Sequence, residues 1–261
     1  MKRDLRKHNE RKIQSWQTEP NASGLHRVGL LLNCQITQFK TGLEKQFLNQ
    51  IWAWSLKVGE IFFAGAYADW DRTKTPMQIT DLVWGTGFYR LQFSQKPYAK
   101  AAIQHLMQFV GNLSVVLELN RWVIIAGTDE FIPLIAHLKN LESQVYLVGD
   151  QTRRTKHLVA LVDQFQALED LKLLQPHSDE GRAGLQAQIC NYYHLGEMYY
   201  VQGQYGMALG HFRYVRQALK ESGGDLQREV HILRKIGSVY EALKRDTEAL
   251  QYYREAQRLL E

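Results

Sequence analysis

The fold is decided by residues 122–149, which read Trp122-Val-Ile-Ile-Ala-Gly-Thr-Asp-Glu-Phe-Ile-Pro-Leu-Ile-Ala-His-Leu-Lys-Asn-Leu-Glu-Ser-Gln-Val-Tyr-Leu-Val-Gly149. An apolar, β-branched run ends at Gly127, two acidic residues follow, and an amphipathic segment leads into a second apolar run. This order predicts a strand, an acidic turn, a helix and a second strand, which together form one βαβ unit. Because open α/β sheets bind ligands at the carboxyl ends of their strands, the turn with Asp129 and Glu130 is the first candidate site.

Strand and helix patterns alternate on both sides of this unit. Further strands are predicted at Val28–Leu32, Glu60–Ala68, Asp81–Trp84 and Val162–Leu168. Further helices are predicted to begin at Thr41, Tyr98 and Thr152. Such alternation implies a parallel sheet that helices cover on both faces. We therefore expect an α/β domain over residues 26–174, preceded by a basic tail, residues 1–25, whose polar composition predicts disorder.

Composition limits the class of protein. None of the apolar stretches reaches the roughly 18 residues that a membrane span needs, and the N-terminus has no apolar segment typical of a signal peptide. The two cysteines, Cys34 and Cys190, provide no framework for disulfide bonds or a zinc site. We therefore expect a cytoplasmic protein without membrane insertion.

The net charge of +5 arises before residue 176, because residues 176–261 hold eleven basic and eleven acidic residues. Six Lys or Arg residues and three acidic residues fall in the tail, residues 1–25. Such a tail can reach RNA phosphates by releasing counterions from them. The alternative is a solvated leader that binds nothing.

After a predicted linker at residues 175–184, one pattern occurs twice. Each copy has a glycine (Gly196 or Gly237), an aromatic residue three positions later, an alanine nine positions after that aromatic residue, and a second aromatic residue four positions after the alanine. Small residues allow two antiparallel helices to approach, and the aromatic rings fill the space between them. The pattern resembles the tetratricopeptide repeat, which implies that residues 185–261 form two helix–turn–helix repeats that dock a protein.

Two features distinguish these copies from a typical array of repeats. The two glycines are 41 residues apart, whereas the tetratricopeptide repeat has a period of about 34 residues. Two repeats are also fewer than a stable solenoid needs. We therefore expect the repeats to pack on the α/β domain, to form a homodimer or to hold a partner.

Several segments of the α/β domain occur in a familiar order and spacing. They are Gly29–Asn33, Ala66–Trp70, Lys96–Lys100, Ala126–Leu134, Gln144–Gly149 and Val162–Phe165. From about Val28 to Leu171 the chain resembles the NYN family, a branch of the PIN-like ribonuclease superfamily. The resemblance implies a site in which acidic residues hold Mg²⁺ or Mn²⁺, and the metal activates a water molecule against a phosphodiester.

The chain departs from the family pattern at the residues that would hold the metal. Asn33 stands where the family has its first Asp, Lys100 where it has an acidic residue on a helix, and Thr128 where its signature has another Asp. Asp129 and Glu130 remain as metal ligands. A Lys ammonium at about 4 Å repels a unit positive charge by roughly 4 kcal/mol at an effective dielectric near 20. We therefore expect weak metal binding.

The predicted function is an RNA-associated adaptor with a degenerate, inactive NYN/PIN-like domain, a protein-docking repeat domain and no cofactor. The candidate phosphate- or RNA-binding residues are Arg90, Lys96, Lys100 and Thr128. The candidate protein-docking residues, expected on the exposed concave face of the repeats, are Asn191, His194 and Arg234.

Two alternatives remain open. The first is an active endoribonuclease that uses Mg²⁺ or Mn²⁺ and the catalytic residues Asn33, Asp129 and Glu130, with Asp69 as a possible further ligand. The second is a structural assembly factor that does not bind RNA.

Overall fold

The structure is a computed structural model, and it describes residues 26–34, 45–68, 70, 77–92, 99–127, 129–150, 156–171, 180–223 and 225–261. The basic tail at residues 1–25 and the predicted helix starts at Thr41, Tyr98 and Thr152 lie outside these ranges.

The N-terminal part contains a six-stranded sheet in which all neighbouring strands are parallel. The strands are β1 (Arg27–Asn33), β2 (Glu60–Ala68), β3 (Tyr89–Gln92), β4 (Arg121–Ile125), β5 (Gln144–Gly149) and β6 (Gln164–Ala167). Their order across the sheet is β3-β2-β1-β4-β5-β6. The predicted parallel sheet is therefore confirmed. Because the strand order reverses between β1 and β4, the ends of these two strands form the crevice where such sheets place their ligands.

Helices cover this sheet on both faces. They are α1 (Lys45–Val58), α2 (Met77–Gly85), α3 (Ala99–Val116), α4 (Ile132–Asn140), α5 (Lys156–Val159) and α6 (Leu168–Leu171), with a 3₁₀ turn at Asp129–Phe131. In β1, Leu30 and Leu32 pack with α1, α2 and α6, whereas Leu31 packs with α3 and α4 on the opposite face. Alternate side chains of a strand point to opposite faces, so an uninterrupted apolar run is what a doubly covered strand requires.

One predicted strand is wrong. Residues 81–84, expected as a strand, lie within helix α2, and the strand that follows is β3. A short apolar run does not distinguish a strand from a buried helix turn. The helix ends where the Thr86 hydroxyl donates to Leu82 O, and Gly87 then adopts a φ of 92°. This left-handed conformation suits glycine, and it turns the chain into β3.

The C-terminal part consists of helices among the described residues. They are α7 (Glu180–Val201), α8 (Tyr205–Glu221), α9 (Leu226–Ala242) and α10 (Asp246–Arg258). Residues 180–184 of the predicted linker belong to helix α7, and residues 175–179 lie outside the described part of the chain. None of the helices in the described ranges has the length and apolar character that a bilayer crossing requires.

The glycines of the repeated pattern lie directly against aromatic rings of the paired helix. A Cβ atom on Gly196 would lie 2.5 Å from the Phe212 ring, and one on Gly237 would lie 2.5 Å from the Tyr253 ring. The predicted packing of small residues against aromatic rings is therefore confirmed. Of the three surroundings predicted for the repeats, the structure shows packing on the α/β domain, because Leu195 and Met198 of α7 belong to the core beneath α3 and α4.

Candidate functional site

The crevice between β1 and β4 brings two of the predicted catalytic residues together. Asn33, the last residue of β1, is buried, and its Nδ2 donates to Glu130 Oε1 at 3.3 Å. Glu130 and Asp129 are exposed in the 3₁₀ turn that follows β4. The contact follows from the sheet order, since β1 and β4 are neighbours and their carboxyl ends meet.

Most of the other residues predicted for this crevice lie outside the described part of the chain. Lys96, Thr128 and Asp69 are outside it, and Lys100 belongs to the first turn of α3 but its side chain is not described. The approach of a Lys100 ammonium to Glu130 therefore stays a prediction.

Arg90 does not belong to the crevice. It lies on β3, which is separated from β1 by β2. Its guanidinium lies 5.7 Å from the centre of the Trp84 ring. Neighbouring strands are about 5 Å apart, so Arg90 begins roughly 10 Å from the strand that carries Asn33. The role of Arg90 in binding RNA stays a prediction.

The described side chains of the crevice offer a Mg²⁺ ion two exposed carboxylates, those of Asp129 and Glu130. Mg²⁺ requires near-octahedral coordination by oxygen atoms, usually with one or two carboxylates among them. Here one Glu130 oxygen accepts a hydrogen bond from the Asn33 amide. No group of three His, Cys, Asp or Glu residues placed to hold a metal occurs within the described ranges.

Cys34 follows Asn33 at the end of β1. It is buried, and burial raises the pKa of its thiol far above the usual range. Since the thiolate is the nucleophilic form, Cys34 is not suited to nucleophilic catalysis.

A second set of polar residues, Gln188, Asn191 and His194 of α7, is buried against the edge of the sheet. We call this contact the α7 joint. The pairing of β3 with β2 begins at Gly65 and Tyr89. Just before that point, Asn191 Oδ1 accepts from Ala64 N at 2.8 Å, and Asn191 Nδ2 donates to Ala64 O at 3.1 Å and to Gly87 O at 2.8 Å. The Asn191 amide thus binds a backbone N–H and C=O of β2, groups that need hydrogen-bond partners when they are buried.

Two more side chains of α7 bind backbone carbonyl groups of the α/β domain. Gln188 donates to Trp84 O, and the His194 ring bonds to Phe62 O through Nδ1. Burial lowers the pKa of His194 to about 4, so the imidazole is neutral at pH 7 and its Nδ1–H donates to the carbonyl. The ring also stacks on Phe62, with the centroids 5.1 Å apart.

This joint corrects the prediction for two of the three docking residues. Asn191 and His194 are 2% and 8% exposed, so neither lies on an open face of the repeats. A signal for the joint is present in the sequence, because residues 188, 191 and 194 are polar and three positions apart. Such a stripe lies on one side of a helix, but the sequence does not show which surface it meets.

Aromatic rings of the repeats extend the contact with the sheet. The Tyr192 ring stacks on Tyr214 of α8, with the centroids 3.9 Å apart, and it also contacts Trp84 and Tyr89 of the α/β domain at 6.0 and 5.3 Å. Tyr192 therefore bridges the helix pair and joins that pair to the sheet as well.

An open groove lies on the other side of α7, between α7, α8 and α9. It has a volume of about 320 Å³ and is lined by Tyr200, Phe212, His231, Arg234, Lys235 and Ser238. Arg234, the third predicted docking residue, is exposed there. Residues 231, 234, 235 and 238 share one face of α9, because their spacing matches the helical period. That spacing is the signal by which His231 and Lys235 could have been found.

Charged and polar side chains connect α7 to α9 across the groove. Lys235 Nζ lies 3.0 Å from Glu197 Oε2, and the Tyr193 hydroxyl shares a hydrogen bond of 2.8 Å with His231 Nε2. Burial and, to a smaller extent, the positive charges of Lys235 and Arg234 together lower the pKa of His231 to about 4. At pH 7 His231 is therefore neutral, while Arg234 and Lys235 supply the positive charge of the groove.

Comparison with known proteins bears on the helical part of the chain. The family model of the tetratricopeptide repeat matches residues 188–261. None of the curated proteins matches the sequence. Among solved structures, a protein of unknown function from Vibrio parahaemolyticus is similar to this chain with 17% identity and a TM-score of 0.45, over 59% of this chain and 99% of that one. The repeat predicted from the glycine and aromatic pattern is thus a tetratricopeptide-like repeat at residues 188–261.

Proposed function

We propose that the chain is an adaptor that docks a segment of a partner protein in the repeat groove and carries an RNA-associated, catalytically inactive NYN/PIN-like domain. The observation that carries the docking role is the open groove within the residues that match the tetratricopeptide repeat. Grooves between helices bind peptides and helices through a few anchoring side chains. The α7 joint holds this groove in a fixed position relative to the sheet.

A variant that fills the groove tests the docking role. Ser238 lines the groove, and Ser238→Trp places a large ring in it. Thr247→Trp adds the same ring at an exposed position of α10 and is the matched control. We expect proteins that co-purify with the wild-type chain to be lost with Ser238→Trp and retained with Thr247→Trp. Identical sets of proteins for all three chains would contradict docking in the groove.

The proposed association with RNA rests on the NYN resemblance and on the basic tail. Neutralisation of phosphates by Lys and Arg makes RNA binding weaker as the salt concentration rises. We expect a mobility shift with single-stranded RNA that decreases with salt and is lost on deletion of residues 1–25. The absence of any shift at low salt would favour a structural assembly factor that does not bind RNA.

The competing function is an active endoribonuclease, and it is favoured by the exposed Asp129 and Glu130 beside the sheet crevice. Incubation with single-stranded RNA and Mn²⁺ separates the two functions. We expect no cleavage, because Asn33, Lys100 and Thr128 stand where the resemblance implies acidic residues that hold the metal. Cleavage that is abolished by Asp129→Asn with Glu130→Gln would reject the inactive domain. Glu169→Gln with Asp170→Asn changes two adjacent exposed acidic residues elsewhere and serves as the control.

A further inference from the structure

Four aromatic rings meet where α7 and α8 pack against the end of α2 and the edge strand β3. They belong to Trp84, Tyr89, Tyr192 and Tyr214, and each of these residues is half-buried. The Trp84 ring contacts the Tyr192 and Tyr214 rings at 6.0 and 6.3 Å between centroids, and Tyr89 contacts Tyr192 at 5.3 Å. We call these four residues the edge cluster. It forms only where the α/β domain and the first repeat come together.

Tyr192 and Tyr214 form a stack with one open end. Their centroids are 3.9 Å apart and their planes are inclined by 25°, a separation close to the roughly 3.4 Å between successive bases of a nucleic acid strand. Because Trp84 is nearly equally far from both rings, it lies beside the stack and not at its end. Within the described part of the chain, no further ring contacts Tyr214. The Tyr214 face that points away from Tyr192 is therefore where another planar group would continue the stack.

Arg90 brings a positive charge to the edge cluster. Its guanidinium lies 5.7 Å from the centre of the Trp84 ring. Burial, with the neighbouring Tyr89 and Tyr214, raises the pKa of the Tyr192 hydroxyl, and the charge of Arg90 opposes that rise. The guanidinium is therefore close to Tyr192 as well as to Trp84. Arg90 is exposed and takes part in none of the ion pairs between described residues.

The charge around Arg90 favours an anionic partner. From Leu82 to Leu117 the chain has no Asp or Glu, but it has Arg90, Lys96 and Lys100. A cation beside stacked aromatic rings is the combination that binds single-stranded nucleic acids, because the bases stack on the rings and the phosphates meet the charge. Glu221, whose charge acts on Tyr214, lies seven residues further along α8, roughly 10 Å along its axis.

We propose that the edge cluster binds single-stranded RNA, with a base stacked on the Tyr214 ring and a phosphate at the Arg90 guanidinium. The proposal rests on the RNA association proposed above and adds a binding surface on the folded part of the chain, separate from the basic tail and the sheet crevice. A single strand suits this surface because its bases are free to stack on a side chain, whereas the bases of a duplex are covered by their neighbours.

Fluorescence anisotropy with two labelled oligonucleotides tests the proposal on the full chain. The first is a short oligoadenylate, and the second has the same backbone but lacks the bases at its central positions. Since both carry the same phosphates, their affinities differ only through the bases. We expect the wild-type chain to bind the first at least about fivefold more tightly, the smallest factor that one stacked base implies.

Two variants locate the contacts. Tyr214→Leu is expected to abolish the preference for the oligonucleotide with bases, because leucine keeps apolar volume but offers no ring. Arg90→Gln is expected to weaken the binding of both oligonucleotides and to reduce the salt dependence by about one phosphate contact. Because Arg90 is exposed and the comparison of the two oligonucleotides needs no variant, the test stays decisive even if Tyr214→Leu fails to fold.

Matched controls come from the second repeat. Tyr252 is half-buried and stacked on Tyr240, with the centroids 5.4 Å apart, as Tyr214 is on Tyr192. Arg254 is an exposed cation on α10. Neither belongs to the edge cluster, so Tyr252→Leu and Arg254→Gln are expected to leave both affinities unchanged.

The outcomes separate this proposal from the RNA association itself. Equal affinity for the two oligonucleotides, unchanged by Tyr214→Leu and Arg90→Gln, would overturn the edge cluster as a binding surface and leave association through the tail intact. Binding of neither oligonucleotide would overturn both. If RNA binding is unchanged in Tyr214→Leu while proteins that co-purify with the wild-type chain are lost, the edge cluster docks a protein and the proposal is wrong.

Discussion

The two helical repeats share one sequence pattern but contact different surroundings. The first repeat, α7 and α8, packs on the sheet, whereas the second, α9 and α10, packs on the first. Forty-one positions after the buried Asn191 and His194 of the first repeat, the second repeat has Ile232 and Lys235. Ile232 is buried among the repeats, and Lys235 lines the groove. The glycine and aromatic positions thus specify a helix pair. The residues between those positions determine which surface the pair contacts.

The largest effect is expected from Asn191→Ala, which removes the centre of the joint. Ala64 N–H, Ala64 O and Gly87 O would lose their bonds to the amide while staying buried. Each unsatisfied buried group costs about 1–3 kcal/mol, so we expect a loss of about 4 kcal/mol in the free energy of unfolding. Urea denaturation measures this loss. Asn140→Ala, at an exposed position of α4, is expected to change stability by less than about 0.5 kcal/mol. Equal losses for the two variants would contradict the role of the joint.

Stability is expected to depend on pH through two buried or half-buried histidines, His194 in the joint and His231 in the groove. His194 has a folded-state pKa of about 4 against an ordinary value of 6.5. As the pH falls below 6.5, the unfolded chain binds a proton that the folded chain excludes, so stability falls between pH 6.5 and pH 4. At pH 5 we expect His194 to account for a loss of about 2 kcal/mol relative to pH 7.

Variants that do not titrate isolate this contribution. Urea denaturation of His194→Gln is expected to show a smaller loss between pH 7 and pH 5 than the wild type. The pKa of His231 is also lowered to about 4, so His231→Gln is expected to reduce the loss to a similar extent. An unchanged pH dependence in His194→Gln would contradict the buried, neutral state of that ring.

Alanine at the two pattern glycines compares the repeats directly. The Phe212 ring beside Gly196 is fully buried, whereas the Tyr253 ring beside Gly237 is half-buried and can move outward. Overpacking costs about 1–3 kcal/mol, and alanine regains up to about 1 kcal/mol of helix propensity. We expect Gly196→Ala to lose about 1 kcal/mol and Gly237→Ala to be near neutral by thermal or urea denaturation. Gly210→Ala, with no atom within 4 Å of the added Cβ, is expected to stabilise the chain. Equal losses at positions 196 and 237 would remove the distinction between the repeats.

The smallest effect is expected from the ion pair between the repeats. Lys235 and Glu197 have side-chain exposures of 32% and 24%. Partly exposed pairs of this kind contribute about 0.5 kcal/mol. A double-mutant cycle with Lys235→Met and Glu197→Gln measures that coupling. A coupling energy above about 2 kcal/mol would mean that this pair, in addition to the joint, holds the repeats in place.

The sequence predicts the elements of this fold better than their contacts. The parallel sheet and the two helix pairs follow from hydrophobic periodicity, and the meeting of Asn33 with the acidic turn follows from strand order. The burial of Asn191 and His194 could not be predicted, because a polar stripe on a helix suits solvent, a ligand or an open sheet edge equally well. The sequence does not predict the helix at residues 81–84, because a segment of four residues is too short for its hydrophobic pattern to distinguish a helix from a strand.

We infer that helix α7 unites the repeats and the sheet into one cooperative unit. All six tryptophans precede residue 123, so tryptophan fluorescence reports on the α/β part, while far-ultraviolet circular dichroism also reports on the long helices of the repeats. Urea unfolding of the wild-type chain followed by both signals tests the claim most directly. We expect the two transitions to coincide. Separate midpoints, with helical signal lost before or after the fluorescence change, would contradict it.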